Sequence, residues 1–345
     1  MTDEKLLSLI EENLTAFFQK MKSENLVWNS EMSAYHFSTG GKRLRALIPS
    51  WIFQTLGKDP LNAIPLGTAL ELIHNATLVH DDLQDGDVVR RGKETVWKKY
   101  SDVQAINCGD ALYQFATVAL DDLQVTPSTW RKISSRLAQG TLQVIEGQAQ
   151  EFLMKNEYQN GEDPDWNRYL SVVKGKTAAL VATAVTCALE ASESDLVTSE
   201  VRASAENGAL LSGILFQIQD DLLDIYGEKQ RDRRATDIAE GKISALVAVF
   251  NEKANLEDRK SMSKIINASR EKTSDAEIEQ AISLFEKYNI AQDLLAKIDA
   301  IQSSIESDPH LQSIPALHRF FTDLNHLFLK PIQNCQWKGS HGNQF

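Results

Sequence analysis

The chain has 345 residues, 42 % of them hydrophobic, and its 36 basic and 48 acidic side chains leave a net charge of −12. That length allows one large domain or two ordinary ones, and that apolar share can build a sizeable core. The acidic balance argues against a nucleic-acid binder, which normally presents a basic surface.

In chain order, helical periodicity dominates. Leu6, Ile10, Leu14, Phe17 and Met21 recur every three or four residues, one apolar stripe on a helix. Similar patterns predict helices over 63–81, 110–123, 128–155, 167–191, 200–226, 245–254, 275–305 and 315–329. The alternation of strands is nearly absent. Glycines and prolines fall mostly at the helix boundaries these patterns define, and the polar stretch 156–167 reads as an exposed loop. The expectation is an all-α fold with a single domain over 1–330 and a loosely held tail over 331–345.

Cys108, Cys187 and Cys335 lie far apart and odd in number, with neither metal-site spacing nor a disulfide framework. This pattern predicts a reducing, cytoplasmic compartment. No signal-peptide pattern opens the chain, and no apolar run approaches the roughly 18 residues of a membrane span.

One echo stands out. "HDDLQD" at 80–85 returns as "QDDLLD" at 219–224. On a helix, residues four apart share a face and the next residue lies about 100° away. Asp81 therefore stacks on Asp85, with Asp82 to the side, and Asp220 stacks on Asp224, with Asp221 to the side. A single such motif is usually a solvated acidic face. Two copies in apolar surroundings would, if their helices face each other, bring up to six carboxylates around cations. Oxygen-only ligands suit Mg²⁺, which also binds substrate phosphates. A calcium loop does not fit, because Leu83 and Gly92 occupy two of its ligand positions.

Separate cationic clusters accompany the acidic ones. "STGGKRLRAL" at 38–47 brings Lys42, Arg43 and Arg45 to a glycine-softened helix start, and lysine and arginine both suit phosphate oxygens. Arg90 and Arg91 follow the first acidic motif, and Lys176 and Lys242 lie beside polar helix ends. Acidic helices for metal with several cationic clusters describe a site for two polyanionic substrates, with diphosphates the leading candidates.

The set resembles the trans-type isoprenyl diphosphate synthases, the polyprenyl synthetase family. The resemblance rests on "GGKRLR", "ELIHNATLVHDDLQDGDVVRRG", "EGQAQE", "GKTAAL", "FQIQDDLLD" and "DIAEGK", in the family's order over roughly residues 38–243. It implies a bundle of mostly antiparallel helices around a deep central cavity, a homodimer, and several Mg²⁺ ions per site. It also implies that Asp81, Asp82 and Asp85 bind metal bridging the allylic diphosphate. Asp220 would join them, with Asp221 and Asp224 as direct or water-mediated ligands. Arg90, Lys176, Gln217 and Lys242 would hold the allylic diphosphate, and Thr177 would be a further substrate-binding residue. Lys42, Arg45, His74 and Arg91 would hold isopentenyl diphosphate.

Gln148 and Glu151 match the family's "GQ..D" element, with glutamate for the usual aspartate. Arg233 or Arg234 takes the place of a lysine the family carries after the second acidic motif, and Ala46 replaces a usual proline. The implied reaction is a 1′-4 condensation in which no dedicated protein base is evident. Aromatic residues four or five places before the first motif commonly shorten the family's products. Here those places hold Thr77 and Ala76, with Ile73 a further turn back. These residues form a candidate chain-length gate and suggest a C20 product, with longer chains or C15 as the alternatives. A class I terpene cyclase and a non-catalytic partner subunit are the rival readings. The second intact acidic motif and the "GGKRLR" segment favour the synthase.

Overall fold

The computed structural model describes residues 1–227, 235–268, 273–333 and 335. The all-α expectation is met, and the two strands among the described residues form one short hairpin. Two compact units are present, Met1–Thr141 with Ala182–Glu206, and Leu142–Val181 with Asn207 onward.

In the first unit, α1 (Asp3–Ser23) buries the predicted stripe of Leu6, Ile10, Leu14, Phe17 and Met21, together with Phe18. Asp3 and Glu4 sit at its positive end and Lys20 and Lys22 at its negative end, matching the helix dipole. Next come α2 (Val27–Phe37), α3 (Leu44–Thr55) and α4 (Ile64–Gln84), the last with a proline in its first turn, where no N–H is missed. A Cβ on Gly67 of α4 would lie 2.3 Å from the Ala46 carbonyl oxygen of α3. The two backbones therefore touch there, an approach that any larger residue would block.

The hairpin pairs β1 (Val89–Arg90) with β2 (Lys93–Glu94). Its turn uses left-handed backbone at Arg91 (φ 51°) and Gly92 (φ 78°), which suits the twist of paired strands. After α5 (Val96–Lys99), helix α6 spans Asp102–Ala119. It starts eight residues before the predicted helix because the Ser101 hydroxyl accepts from the Gln104 amide at 3.3 Å and caps it. Phe115 of α6 meets Phe17 of α1 edge-on at 5.7 Å. Helix α7 (Pro127–Gln159) reaches into the stretch predicted as loop, because Tyr158 is a buried core residue.

The second unit holds the rest of α7, then α8 (Trp166–Val173), a π-turn (Lys174–Ala178), and parts of α9 (Ala179–Ala191) and α10 (Ser199–Tyr226). The continuous helix predicted over 167–191 widens at the π-turn. A Cβ on Gly147 of α7 would lie 2.0 Å from the Lys176 nitrogen, and one on Gly213 of α10 would lie 2.5 Å from the Ala178 Cα. Two glycines thus make room for the extra residue. Such bulges often occur at functional sites.

Helices α11 (Thr236–Ala239), α12 (Ala245–Lys253), α13 (Leu256–Ile266), α14 (Asp275–Lys287), α15 (Ile290–Glu306), α16 (Pro309–Gln312) and α17 (Pro315–Leu329) complete the unit. The pattern predicted as one helix over 275–305 is two, broken where Asn289 turns left-handed (φ 54°). Phe250 packs edge-on against Phe285 and Tyr288 in this unit's core.

Among the described residues one helical stretch, Trp166–Ala191, is long and apolar enough to cross a membrane by length and composition. This departs from the expectation that no run approaches that length. However, 83 % of its apolar window is buried by the protein itself, as in a core helix.

Candidate active site

The first unit carries the "GGKRLR" turn and the first acidic motif. Gly40 and Gly41 have positive φ, and Arg43 is left-handed just before α3. Arg43 turns inward. Its guanidinium donates to Glu11 Oε1 (2.8 Å), Glu71 Oε1 (3.4 Å) and the Phe37 carbonyl (2.9 Å), and it lies over the Phe37 ring. It is a buried pin for the turn, while Lys42 stays exposed.

Arg45 Nη1 lies 3.0 Å from His74 Nε2. A guanidinium can only donate, so His74 accepts at Nε2 and its proton sits on Nδ1. Burial, then the charges of Arg45, Arg90 and Arg91, hold the His74 pKa well below its usual range. His36 is pushed down to about 3 by burial and by Arg90 and Arg91, while its bond to Asn75 opposes the shift. Arg91 donates to the Gly40 carbonyl, which ties the arginine pair to the glycine turn. The residues expected to hold isopentenyl diphosphate are therefore linked as Arg45 with His74 and Arg91 with the turn that bears Lys42.

The first acidic motif occupies the last turn of α4, where the helix dipole is negative and a cation is favoured. Asp81 and Asp85 are half-buried. Asp82 is only 1 % exposed and accepts from Arg90 Nε at 2.7 and 3.0 Å, with Arg90 Nη2 at 2.6 Å from Oδ1. Burial raises the Asp82 pKa and this pairing opposes the rise. Nearby on α6, Tyr113 is pushed up to about 12 by burial and the charges of Asp81 and Asp110. His80 packs against Gly109, with Nε2 3.3 Å from the Ile106 carbonyl, in a structural position. Of the candidate gate residues, Ile73 and Ala76 are buried, at 2 % and 0 % exposure. Thr77 is half-buried, with its hydroxyl donating to the His74 carbonyl at 2.7 Å.

The second unit carries the second acidic motif and its cationic residues. The π-turn presents Lys176, whose ammonium pairs with Glu151 of α7. Gln148 lies one turn before Glu151 and is half-buried. Thr177 donates to Gln217 Oε1 (2.7 Å), and Gln217 Nε2 donates to Asp221 Oδ1 (2.8 Å). Asp221 Oδ2 also accepts from the Tyr169 hydroxyl (2.8 Å) and the Ala245 amide (2.7 Å). Burial, opposed by these hydrogen bonds, pushes Asp221 up to about 7.

Asp224 accepts from the Thr236 amide and hydroxyl and from the Asp237 amide. Asp220 is exposed on the same helix end. Asp237 is raised well above its usual range by burial and by Asp224, while Lys242 opposes the shift. The Lys242 ammonium lies 2.7 Å from Glu240, whose carbonyl accepts from Lys155 at 2.6 Å. Arg233 and Arg234 lie outside the described residues.

The donor set of both motifs is carboxylate oxygen throughout, on helix ends that favour positive charge, and this fits Mg²⁺. Among the described residues no three His, Cys, Asp or Glu side chains are already gathered as a metal cluster. A cation would then share its coordination with substrate oxygens and water, as Mg²⁺ does in phosphate sites.

Residues 27–285 match the family described as polyprenyl synthetase. The chain belongs to that family. The short chain isoprenyl diphosphate synthase of Methanocaldococcus jannaschii is 30 % identical to it, over 82 % of this chain and 82 % of its own. The geranylgeranyl diphosphate synthase of Saccharolobus solfataricus is 32 % identical over 84 % and 86 %. The crystal structure of geranylgeranyl pyrophosphate synthetase from Pyrococcus horikoshii is 26 % identical, covers 93 % of this chain and 98 % of that one, and superposes with a TM-score of 0.75. This polyprenyl synthetase is thus an enzyme, a trans-prenyltransferase.

Sequence reasoning about this synthetase missed several supporting residues. Trp97 Nε1 and the Thr95 hydroxyl both donate to the Asp87 carbonyl (2.7 and 2.8 Å), and Lys93 donates to the Ser38 carbonyl (2.8 Å). These bonds hold the hairpin that carries Arg90 and Arg91. Tyr169 was equally silent, since a lone tyrosine between motifs carries no spacing signal.

Proposed function

We propose that this enzyme joins isopentenyl diphosphate to an allylic prenyl diphosphate, 1′-4 and trans, and releases a C20 prenyl diphosphate, diphosphate and a proton. The observation that carries this reading is the repeated pairing of a carboxylate-bearing helix end with cationic side chains in the same unit. Asp81, Asp82 and Asp85 in the first unit and Asp220 in the second would hold Mg²⁺, with Asp221 and Asp224 next to Asp220 on its own helix. When bound, the metal would supply Lewis-acid neutralisation of the leaving diphosphate.

The chain's own residues do the rest. Arg90, Lys176, Thr177, Gln217 and Lys242, with Arg233 or Arg234, bind and orient the allylic diphosphate. They also stabilise charge as the C–O bond breaks, which is preorganised electrostatics of the kind that dominates many enzymes. Lys42, Arg45, His74 and Arg91 hold the second diphosphate, with neutral His74 fixing the Arg45 fork. Apolar walls shield the allylic cation from water. The departing diphosphate takes the proton lost from the elongated chain.

The C20 length draws on the small Ala76 and the short Thr77 before the first motif, and on relatives that are named geranylgeranyl diphosphate synthases. The family match over 27–285 supports a single synthase domain over most of residues 1–330. A homodimer is part of this proposal, because Leu142, Ile145, Phe152 and Leu153 of α7 form an exposed apolar row that a second copy would cover. So is a cytoplasmic setting, where the thiols of Cys108 and Cys187, buried and pushed up to about 12, stay reduced.

The test is mass spectrometry of products from purified enzyme given Mg²⁺, isopentenyl diphosphate and a series of allylic primers. Elongation to C20 is expected. Longer or C15 products would revise the gate, and no elongation with any primer would overturn the synthase reading in favour of a cyclase or a partner subunit.

A further inference from the structure

The two acidic motifs are alike in letters, yet Asp82 of the first is held by a guanidinium. Two aspartates of the second are held by neutral donors, several from the chain that follows. Both oxygens of Asp221 accept hydrogen bonds, Oδ1 from Gln217 at 2.8 Å and Oδ2 from Tyr169 at 2.8 Å and the Ala245 amide at 2.7 Å. Both oxygens of Asp224 do the same, Oδ1 from the Thr236 amide (3.0 Å) and hydroxyl (2.6 Å) and Oδ2 from the Asp237 amide (3.0 Å). A carboxylate offers about four lone-pair sites, so three are taken in each case. The amides bound are those that open α11 and α12. The segment between them carries Lys242, whose own amide donates to the Asp237 carbonyl at 2.9 Å.

We infer that Asp221 and Asp224 are positioning residues, a two-point clamp that brackets the 235–245 segment and sets Lys242 relative to Gln217 and Thr177. Asp224 grips the start of the segment and Asp221 its end. Asp221 also orders Gln217, which receives the Thr177 hydroxyl. Tyr169 locks the clamp from α8. The cationic and amide groups meant for the allylic diphosphate then share one rigid frame, and Asp220 differs from its neighbours in being exposed.

The assignment of Lys242, Gln217 and Thr177 to a diphosphate rests on the proposed function, whereas the clamp itself does not. The first readout is therefore independent of activity. Amide hydrogen–deuterium exchange of the full-length protein should speed up about tenfold or more over 235–246 in Asp224→Asn and Asp221→Asn, and stay unchanged there in Asp220→Asn. Thr236→Val removes one bond and leaves every carboxylate in place, so it should loosen the same segment by a smaller factor even if an aspartate variant folds poorly.

The second readout is kinetic. Asp224→Asn and Tyr169→Phe should raise KM for the allylic diphosphate about tenfold. The half-saturating Mg²⁺ concentration should stay within about twofold of the parent, whereas Asp220→Asn should shift it strongly. Unchanged exchange over 235–246 in both aspartate variants overturns the clamp. A shift in Mg²⁺ half-saturation as large as that of Asp220→Asn makes these residues ligands and also overturns it. An enzyme that elongates nothing leaves the exchange result to decide the clamp and removes the diphosphate role alone.

Discussion

The buried histidines of the first unit and the buried acids of the second are displaced in opposite directions. In the first, burial and the cations Arg43, Arg45, Arg90 and Arg91 push His36 and His74 down, and partial burial with Arg90 and Arg43 lowers Arg91. In the second, burial and neighbouring carboxylates push Asp221, Asp237 and Tyr169 up. Burial disfavours the charged form in both units, so bases fall and acids rise, and Asp82 and Tyr113 of the first unit rise as well. The acidic motifs differ in how their carboxylates are satisfied. The middle aspartate is buried in both, but Asp82 is satisfied by a guanidinium and Asp221 by hydroxyl, amide and backbone donors. Charge-neutralising and dipole-only solutions to the same buried carboxylate stand side by side.

The strongest test of that contrast removes an outer carboxylate. Asp81→Asn should lower the elongation rate by roughly 10³-fold, the scale of losing one electrostatic contact to a transition state. A loss under tenfold in steady-state product assays would place Asp81 outside the metal set. Asp82→Ala strands the Arg90 charge and should cost about 3 kcal/mol in urea denaturation, and pairing it with Arg90→Leu should recover part of that loss. Simple additivity of the two would mean the pair does not couple.

Acid titration addresses the histidines. The folded His36 pKa of about 3 lies below its unfolded value, so the unfolded chain binds the extra proton between roughly pH 6.5 and 3. Its contribution is present above that window and is lost as pH falls through it. His36→Gln should therefore flatten the stability–pH curve there by about 1.4 kcal/mol per pH unit. An unchanged slope would mean that His36 does not titrate alone.

The smallest expected change lies upstream of the motifs. Leu215 and Phe216 stand five and four places before Asp220, whereas Ala76 and Thr77 stand there before Asp81. Ala76→Phe should make the first motif resemble the second, shorten the product and destabilise the fold by about 1–2 kcal/mol through overpacking. An unaltered product distribution would take Ala76 out of the gate.

Much of the site could be read from local spacing. Asp81 with Asp85 and Asp220 with Asp224 follow from helical geometry, and both motifs lie on helices as expected. The inward turn of Arg43 was not readable, because its partners Glu11 and Glu71 are 32 and 28 residues away in sequence. Nor was the hairpin at 89–94, which is too short for alternation to register and is held by Trp97, Thr95 and Lys93. The π-turn escaped for a similar reason, since it depends on glycines contributed by α7 and α10.

The sequence by itself determined the helical class, the paired acidic motifs and the cationic segments, because a 3.6-residue repeat and i, i+4 stacking are properties of one helix. Tertiary structure decided what each charge does. A carboxylate's role depends on which donor reaches it first, and those donors come from 8 residues away for Asp82, 12 for Asp224 and up to 52 for Asp221. Burial then makes each such pairing expensive to exchange. Side chains of identical type at identical spacing in this way acquire different work.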